Sequence, residues 1–177
     1  NVKLGKAKHY QENKEYYITY SREWKRNNPE KRRKMDKRYF DKNPIRKIIR
    51  NLRTRITWVL KKCNGEKADH TMTQLGCTPK FLEERLKSQF HSYTNKNGNI
   101  IEMSWDNYGN GEGLWEIDHI KALILFDLIK PEEQLKANHY TNLQPLWWFE
   151  HDIKSQQDLK LAQNIKSELN CDVMGHA

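Results

Sequence analysis

WEIDHI at residues 115–120, followed by HYTNLQPLWWFEHDIKS at residues 139–155, is the stretch whose reading decides the fold. Trp115, Ile117 and Ile120 make a short apolar strand that ends on two polar groups, Asp118 and His119. Leu143 to Leu146 read as a second strand, and residues from about Phe149 to Ser167 as a closing helix. An apolar strand seldom ends in an adjacent carboxylate and imidazole without a use for them. Neighbouring side chains on a regular strand point to opposite faces. Asp118 and His119 therefore serve one site only where the strand ends, bends or twists, and a distortion at 118–119 is expected.

Outward from this segment the chain is polar. Of its 177 residues 36% are hydrophobic and 31% charged, enough for one compact domain plus an extension or for two small domains. The net charge of +9 points to a polyanionic partner. Residues 1–62 carry 21 Lys and Arg against 6 Asp and Glu, and residues 63–177 carry 11 against 17. The first third reads as a basic arm and the rest as mildly acidic. Cys63, Cys77 and Cys171 are too few and too dispersed for a disulfide framework or a four-cysteine zinc site. No apolar run approaches the ~18 residues that span a bilayer. Residues 1–6 lack the apolar stretch of a signal peptide. The expectation is a soluble intracellular protein in a reducing compartment, with no membrane partner.

Asn13, Asn28 and Asn43 recur at a spacing of 15, each a few residues after an aromatic. Asn28, Pro29 and Glu30 read as a helix start, with Asn capping the free amides. Residues 1–44 are expected to form two or three helices with few apolar contacts; a disordered basic tail is the alternative. Over 45–62, Ile45, Ile48, Ile49, Leu52, Ile56, Val59 and Leu60 form one apolar stripe of a helix. Its cations occupy the remaining surface. Residues 63–74 read as a loop. Thr78 and Pro79 open a helix to about Phe90 with Phe81, Leu82 and Leu86 inward, residues 91–99 read as a loop, and a short helix follows Pro131. Trp115, Trp147, Trp148 and Phe149 are expected mostly in the core, with Trp105 and Tyr108 bracing it.

Asp118, His119, Asn142 and His151, at these spacings, resemble the signature of the HNH endonucleases. The resemblance implies an α+β fold: a ββα-metal core at about 114–166 within a nuclease domain at 63–177, preceded by a mainly helical basic DNA-binding arm at 1–62. It implies that His119 is the general base, that Asp118 and His151 hold one divalent metal ion, and that Asn142 bonds backbone to hold His119 in place. Mg²⁺ is the first choice of metal, with Mn²⁺ or another transition metal as alternatives. His139 is a spare candidate. After Ile120 many relatives place Pro two residues on, whereas this chain continues Lys121, Ala122, Leu123, so the connection departs from the pattern.

Lys154, three residues after His151, shares its helical face and suits a phosphate beside the scissile one. Lys31, Arg32, Arg33 and Lys34, and Arg46, Arg50 and Arg53, suit the duplex backbone. The implied activity is a metal-dependent endonuclease or nickase acting on double-stranded DNA, with monomer or homodimer undetermined. Two rivals come from other classes: a non-catalytic nucleic-acid-binding protein on an HNH scaffold, and an RNA-binding protein whose arm dominates.

Overall fold

In a computed structural model, residues 8–174 are described, with side-chain environments as far as residue 167. The terminal segment read for a signal peptide and the Cys171 side chain lie outside the described residues. The fold mixes helices with two small antiparallel sheets, an α+β arrangement. No helix among the described residues is long and apolar enough to cross a membrane.

The chain divides into two compact units between Asn43 and Pro44. In the first, α1 (Lys14–Asn27) and α2 (Pro29–Asp41) follow helical residues 8–12, and neither helix has a buried residue. The asparagines that punctuate these helices act differently from the cap expected. Asn28 makes no side-chain cap bond to α2. Its Nδ2 donates backward to the Trp24 carbonyl at 3.0 Å, and Asn13 and Asn43 do the same to His9 and Tyr39 at 2.9 and 2.8 Å. Each Asn closes the helix before it, and at His9 and Trp24 the side chain adds a second bond to a carbonyl that already accepts the backbone amide of the same Asn.

The second unit opens with α3 (Pro44–Lys62), whose Ile45, Ile48, Ile49, Leu52, Ile56 and Leu60 are buried. Helix 44–62 carries seven cations and no carboxylate, but its apolar stripe commits it to the core. Ile48 and Leu52 join Leu75, Leu82, Leu86, Trp115, Leu143 and Trp147 in one cluster. Fully burying each such side chain is worth about 1.5–3 kcal/mol.

A one-turn helix, α4 (Thr71–Leu75), interrupts the loop expected at 63–74. Helix α5 (Pro79–Lys87) begins on Thr78, whose Oγ1 accepts from the Phe81 amide at 3.2 Å. It stops short of Phe90. Leu82 and Leu86 point inward, but Phe81 stays 45% exposed, edge-on to Tyr140. Residues 91–99, read as a loop, instead contain β1 (Ser92–Thr94), which pairs with β2 (Ile100–Glu102) in a hairpin. Tyr93 holds that hairpin on the core with its ring edge-to-face against Trp147, Trp148 and Phe149. Trp105 and Tyr108 pack on Trp115.

The second sheet pairs β3 (Trp115–His119) with β4 (Leu143–Trp147), in a register running from Trp115 opposite Trp147 to His119 opposite Leu143. Between them lies α6 (Pro131–Asn138), and after them α7 (Trp148–Met174). The buried Gln134 ties this connection to α3's exit: its Nε2 donates to the Glu66 and Leu128 carbonyls, each at 2.9 Å, and its Oε1 accepts from the Ala68 amide. These bonds pair loop backbone groups at Glu66 and Ala68 and the buried Leu128 carbonyl.

Candidate functional site

The β3–β4 ladder runs unbroken across Asp118 and His119, so no bulge separates them. The strand simply ends there. Both residues are buried, at 8% and 3% exposure. Both nevertheless line one cavity. No distortion separates the two residues, which line the cavity from the last two positions of the strand.

Asn142 makes that termination firm. Its Nδ2 donates to the Lys121 and Ala137 carbonyls at 3.0 and 2.9 Å, and its Oδ1 accepts from the Lys121 amide at 2.8 Å. Its own carbonyl accepts from the Ile120 amide at 2.8 Å. One residue, through its side chain and its backbone carbonyl, thereby fixes the two residues that follow His119 and the end of α6.

Helix α7 brings His151 and Lys154 over the same strand end. Asp118 Oδ1 lies 3.6 Å from His151 Nε2, and Asp118 Oδ2 lies 3.1 Å from Lys154 Nζ. Gln144 Nε2, across the ladder, donates to Oδ2 at 3.3 Å. Lys154 also donates to the His119 carbonyl at 2.9 Å and pairs with Asp158 one turn on. Burial works against the Lys154 charge, but its bonds to Asp158 and Asp118 outweigh this and raise its pKa.

Glu150 sets the start of α7: it accepts from the Trp147 amide at 2.9 Å and from His91 Nε2 at 3.0 Å, which positions His151 in the first turn.

His119 is electrostatically distinct. Burial, reinforced by the Arg55 guanidinium and, less, by Lys154, depresses its pKa from 6.5 to about 4, against the pull of Asp118. The imidazole is therefore neutral at neutral pH. Its buried Nε2 has no hydrogen-bond partner among the described residues. Arg55 is held beside it by a 3.0 Å bond to the Ile117 carbonyl.

A carboxylate oxygen and an imidazole nitrogen 3.6 Å apart fit two donors on one small cation, each at about 2.0–2.2 Å. Remaining positions would be open to water and substrate oxygens. No group of three or more His, Cys, Asp or Glu converges in a metal-holding arrangement among the described residues.

Other predicted residues lie elsewhere. His139 bonds Thr141 at 2.8 Å and lies against Gly76, with no bond to Asp118, His119 or His151 among those described. Lys31, Arg32, Arg33 and Lys34 are exposed on α2, in the first unit, where Arg32 pairs with Asp36. Arg46 and Arg50 are exposed on α3, while Arg53 bonds Thr71 at 3.4 Å. Arg55, Gln144 and Asp158 belong to the cluster but were not singled out by the sequence reading. Arg55 was findable: with Trp58, Val59 and Lys62 it makes a second stripe at i, i+3, i+4, i+7 along helix 44–62. Gln144 and Asp158 carried no comparable signal.

No protein-family model matches the chain, and no solved structure matches it. Among curated proteins it is similar to the uncharacterized protein L246 of Acanthamoeba polyphaga mimivirus, 30% identical over 122 residues. The match covers 65% of this chain and 47% of that protein, so the chain spans about half the length of the relative.

Proposed function

We propose that the protein is a metal-dependent HNH endonuclease or nickase that hydrolyses phosphodiester bonds in double-stranded DNA, on a ββα-metal core formed by β3, β4 and α7. The observation that carries the reading is the convergence of Asp118, His151 and Lys154 on a strand end beside a buried, neutral His119.

Hydrolysis needs a deprotonated water, and charge stabilisation on the phosphorane and on the leaving oxygen. A divalent ion held by Asp118 and His151, Mg²⁺ first with Mn²⁺ or another transition metal as alternatives, would supply the charge stabilisation. His119, neutral at neutral pH, accepts the water proton as the oxygen attacks phosphorus; the P–O bond to the leaving oxygen breaks and that oxygen takes a proton from solvent. Asn142 holds the backbone after His119, so the imidazole keeps its aim. Lys154 offers an ammonium to a phosphate oxygen once substrate competes for it, and Arg55 offers a guanidinium from the other side of His119. Lys31, Arg32, Arg33, Lys34, Arg46, Arg50 and Arg53 would neutralise phosphates along the duplex, with the salt dependence that counterion release dictates. One such site cuts one strand, so a single copy is a nickase.

The test is supercoiled plasmid incubated with wild type and with His119→Ala in Mg²⁺ or Mn²⁺, at low and moderate salt. Nicked or linear product from the wild type alone supports the reading. DNA binding with no product under any metal, on any substrate, would instead favour a non-catalytic binding protein.

A further inference from the structure

The cavity lined by Asp118 and His119 extends between α3 and α7 as an open groove of about 600 Å³. Its lining also includes Trp58, Ile124, Phe126 and Leu159. Trp58 is the anomaly. Trp115 and Trp147 are fully buried, whereas Trp58 is 57% exposed on a helix whose apolar stripe is otherwise in the core. A large exposed aromatic beside a candidate active site is informative in a way that a scattered surface leucine is not.

The charges around it are arranged with equal bias. Arg55 and Lys62 flank Trp58 along the same helical face, and Lys166 lines the groove from α7. The Lys62 ammonium sits 3.6 Å above the Trp58 ring, so the helix presents an aromatic plane and a cation together. The carboxylates that line the groove, Asp118 and Asp158, are both engaged by Lys154. What remains is an apolar, aromatic floor edged by three cations, opening onto the strand end that holds His119. An apolar peptide would explain the floor but not the cations, and a phosphate would explain the cations but not the floor. A nucleotide with its base exposed explains both, because base–aromatic stacking and backbone neutralisation are the two elements of single-strand binding. A base paired within a duplex cannot offer its face to a ring.

We propose that the groove seats an unpaired base of the substrate strand on Trp58, next to the scissile phosphate, with Lys62 and Lys166 meeting the flanking phosphates. The inference rests on the nuclease reading of the Asp118–His119 cluster and narrows its substrate: duplex DNA interrupted by an unpaired nucleotide, or a base drawn out of the stack at the cut.

The full-length protein is assayed in two ways. Cleavage is compared on a continuous duplex and on the same sequence carrying a short unpaired gap, for wild type, Trp58→Ala and Trp58→Phe. The expected result is a preference of roughly 10–100-fold for the gapped substrate, lost in Trp58→Ala and kept in Trp58→Phe. Binding is measured without metal, using an oligonucleotide with 2-aminopurine at the unpaired position; its fluorescence falls on wild type and on His119→Ala but not on Trp58→Ala. Equal cutting of both substrates by wild type and Trp58→Ala would overturn the base seat while leaving the nuclease reading standing. Quenching that depends on Trp58 without any cleavage would keep the seat and sink the nuclease. A changed oligomeric state in Trp58→Ala, with unchanged 2-aminopurine quenching, would assign the groove to contact between copies and also overturn the proposal.

Discussion

Acidification should unfold this protein partly through one histidine. His119 is 3% exposed and its pKa lies at about 4, against 6.5 for an unperturbed imidazole. Between those values the unfolded chain binds a proton at this position that the folded chain does not. Stability therefore falls as pH drops from about 7 toward 4, and is constant in this respect above 7. A depression from 6.5 to about 4 corresponds to about 3 kcal/mol when complete, most of it lost by about pH 4.5. That is a large share of a typical domain's stability. Urea unfolding at a series of pH values, on wild type and His119→Gln, isolates the effect, because the carboxylates common to both proteins cancel in the difference. The wild type should lose about 2–3 kcal/mol more than the variant between pH 7.5 and 4.5. Parallel curves would show that His119 titrates normally, and that burial and Arg55 do not hold it neutral.

Three further perturbations follow from named contacts. Asn142→Ala removes three side-chain hydrogen bonds and should cost about 2–4 kcal/mol in unfolding free energy; cleavage should fall while divalent-metal affinity, read by calorimetry, stays within a few-fold. Lys154→Met removes the ammonium that competes at Asp118, so metal affinity should rise by about tenfold, as loss of a charge-assisted bond implies, while the cleavage rate at saturating metal falls. Gly76→Ala places a Cβ 2.6 Å from the His139 ring at a φ of +67°, and should destabilise by about 2 kcal/mol or more in thermal unfolding.

What the sequence made legible was what its periodicity encodes. The stripe from Ile45 to Leu60 has one dominant buried face, and that helix lies where the pattern puts it; Trp115 and Ile117 are buried in β3, but Ile120, read with them, lies beyond the strand and is exposed. The β1–β2 hairpin was hidden because each strand is three residues long and only Tyr93 and Ile101 are drawn inward. A pattern that short has no period. Asn28 misled for a different reason: an asparagine between two helices can accept forward or donate backward, and composition does not say which. Within the site, the two strand-end residues and His151 were readable as residue types. The Lys154 bridge to Asp118 and the placement of Arg55 beside His119 were not, because both depend on how α3 and α7 pack against the sheet. Charge placed helix 44–62 with the arm, while its buried face packs into the core of the second unit.

The most direct test of the account is the division of labour between metal holding and water activation. Mn²⁺ binding is measured by electron paramagnetic resonance on wild type, Asp118→Asn, His151→Ala and His119→Gln, with cleavage assayed on the same preparations. The account predicts one bound ion in the wild type, binding lost or greatly weakened in Asp118→Asn and His151→Ala, and binding kept in His119→Gln although its cleavage is abolished. Retained Mn²⁺ affinity in Asp118→Asn, or lost affinity in His119→Gln, would contradict it.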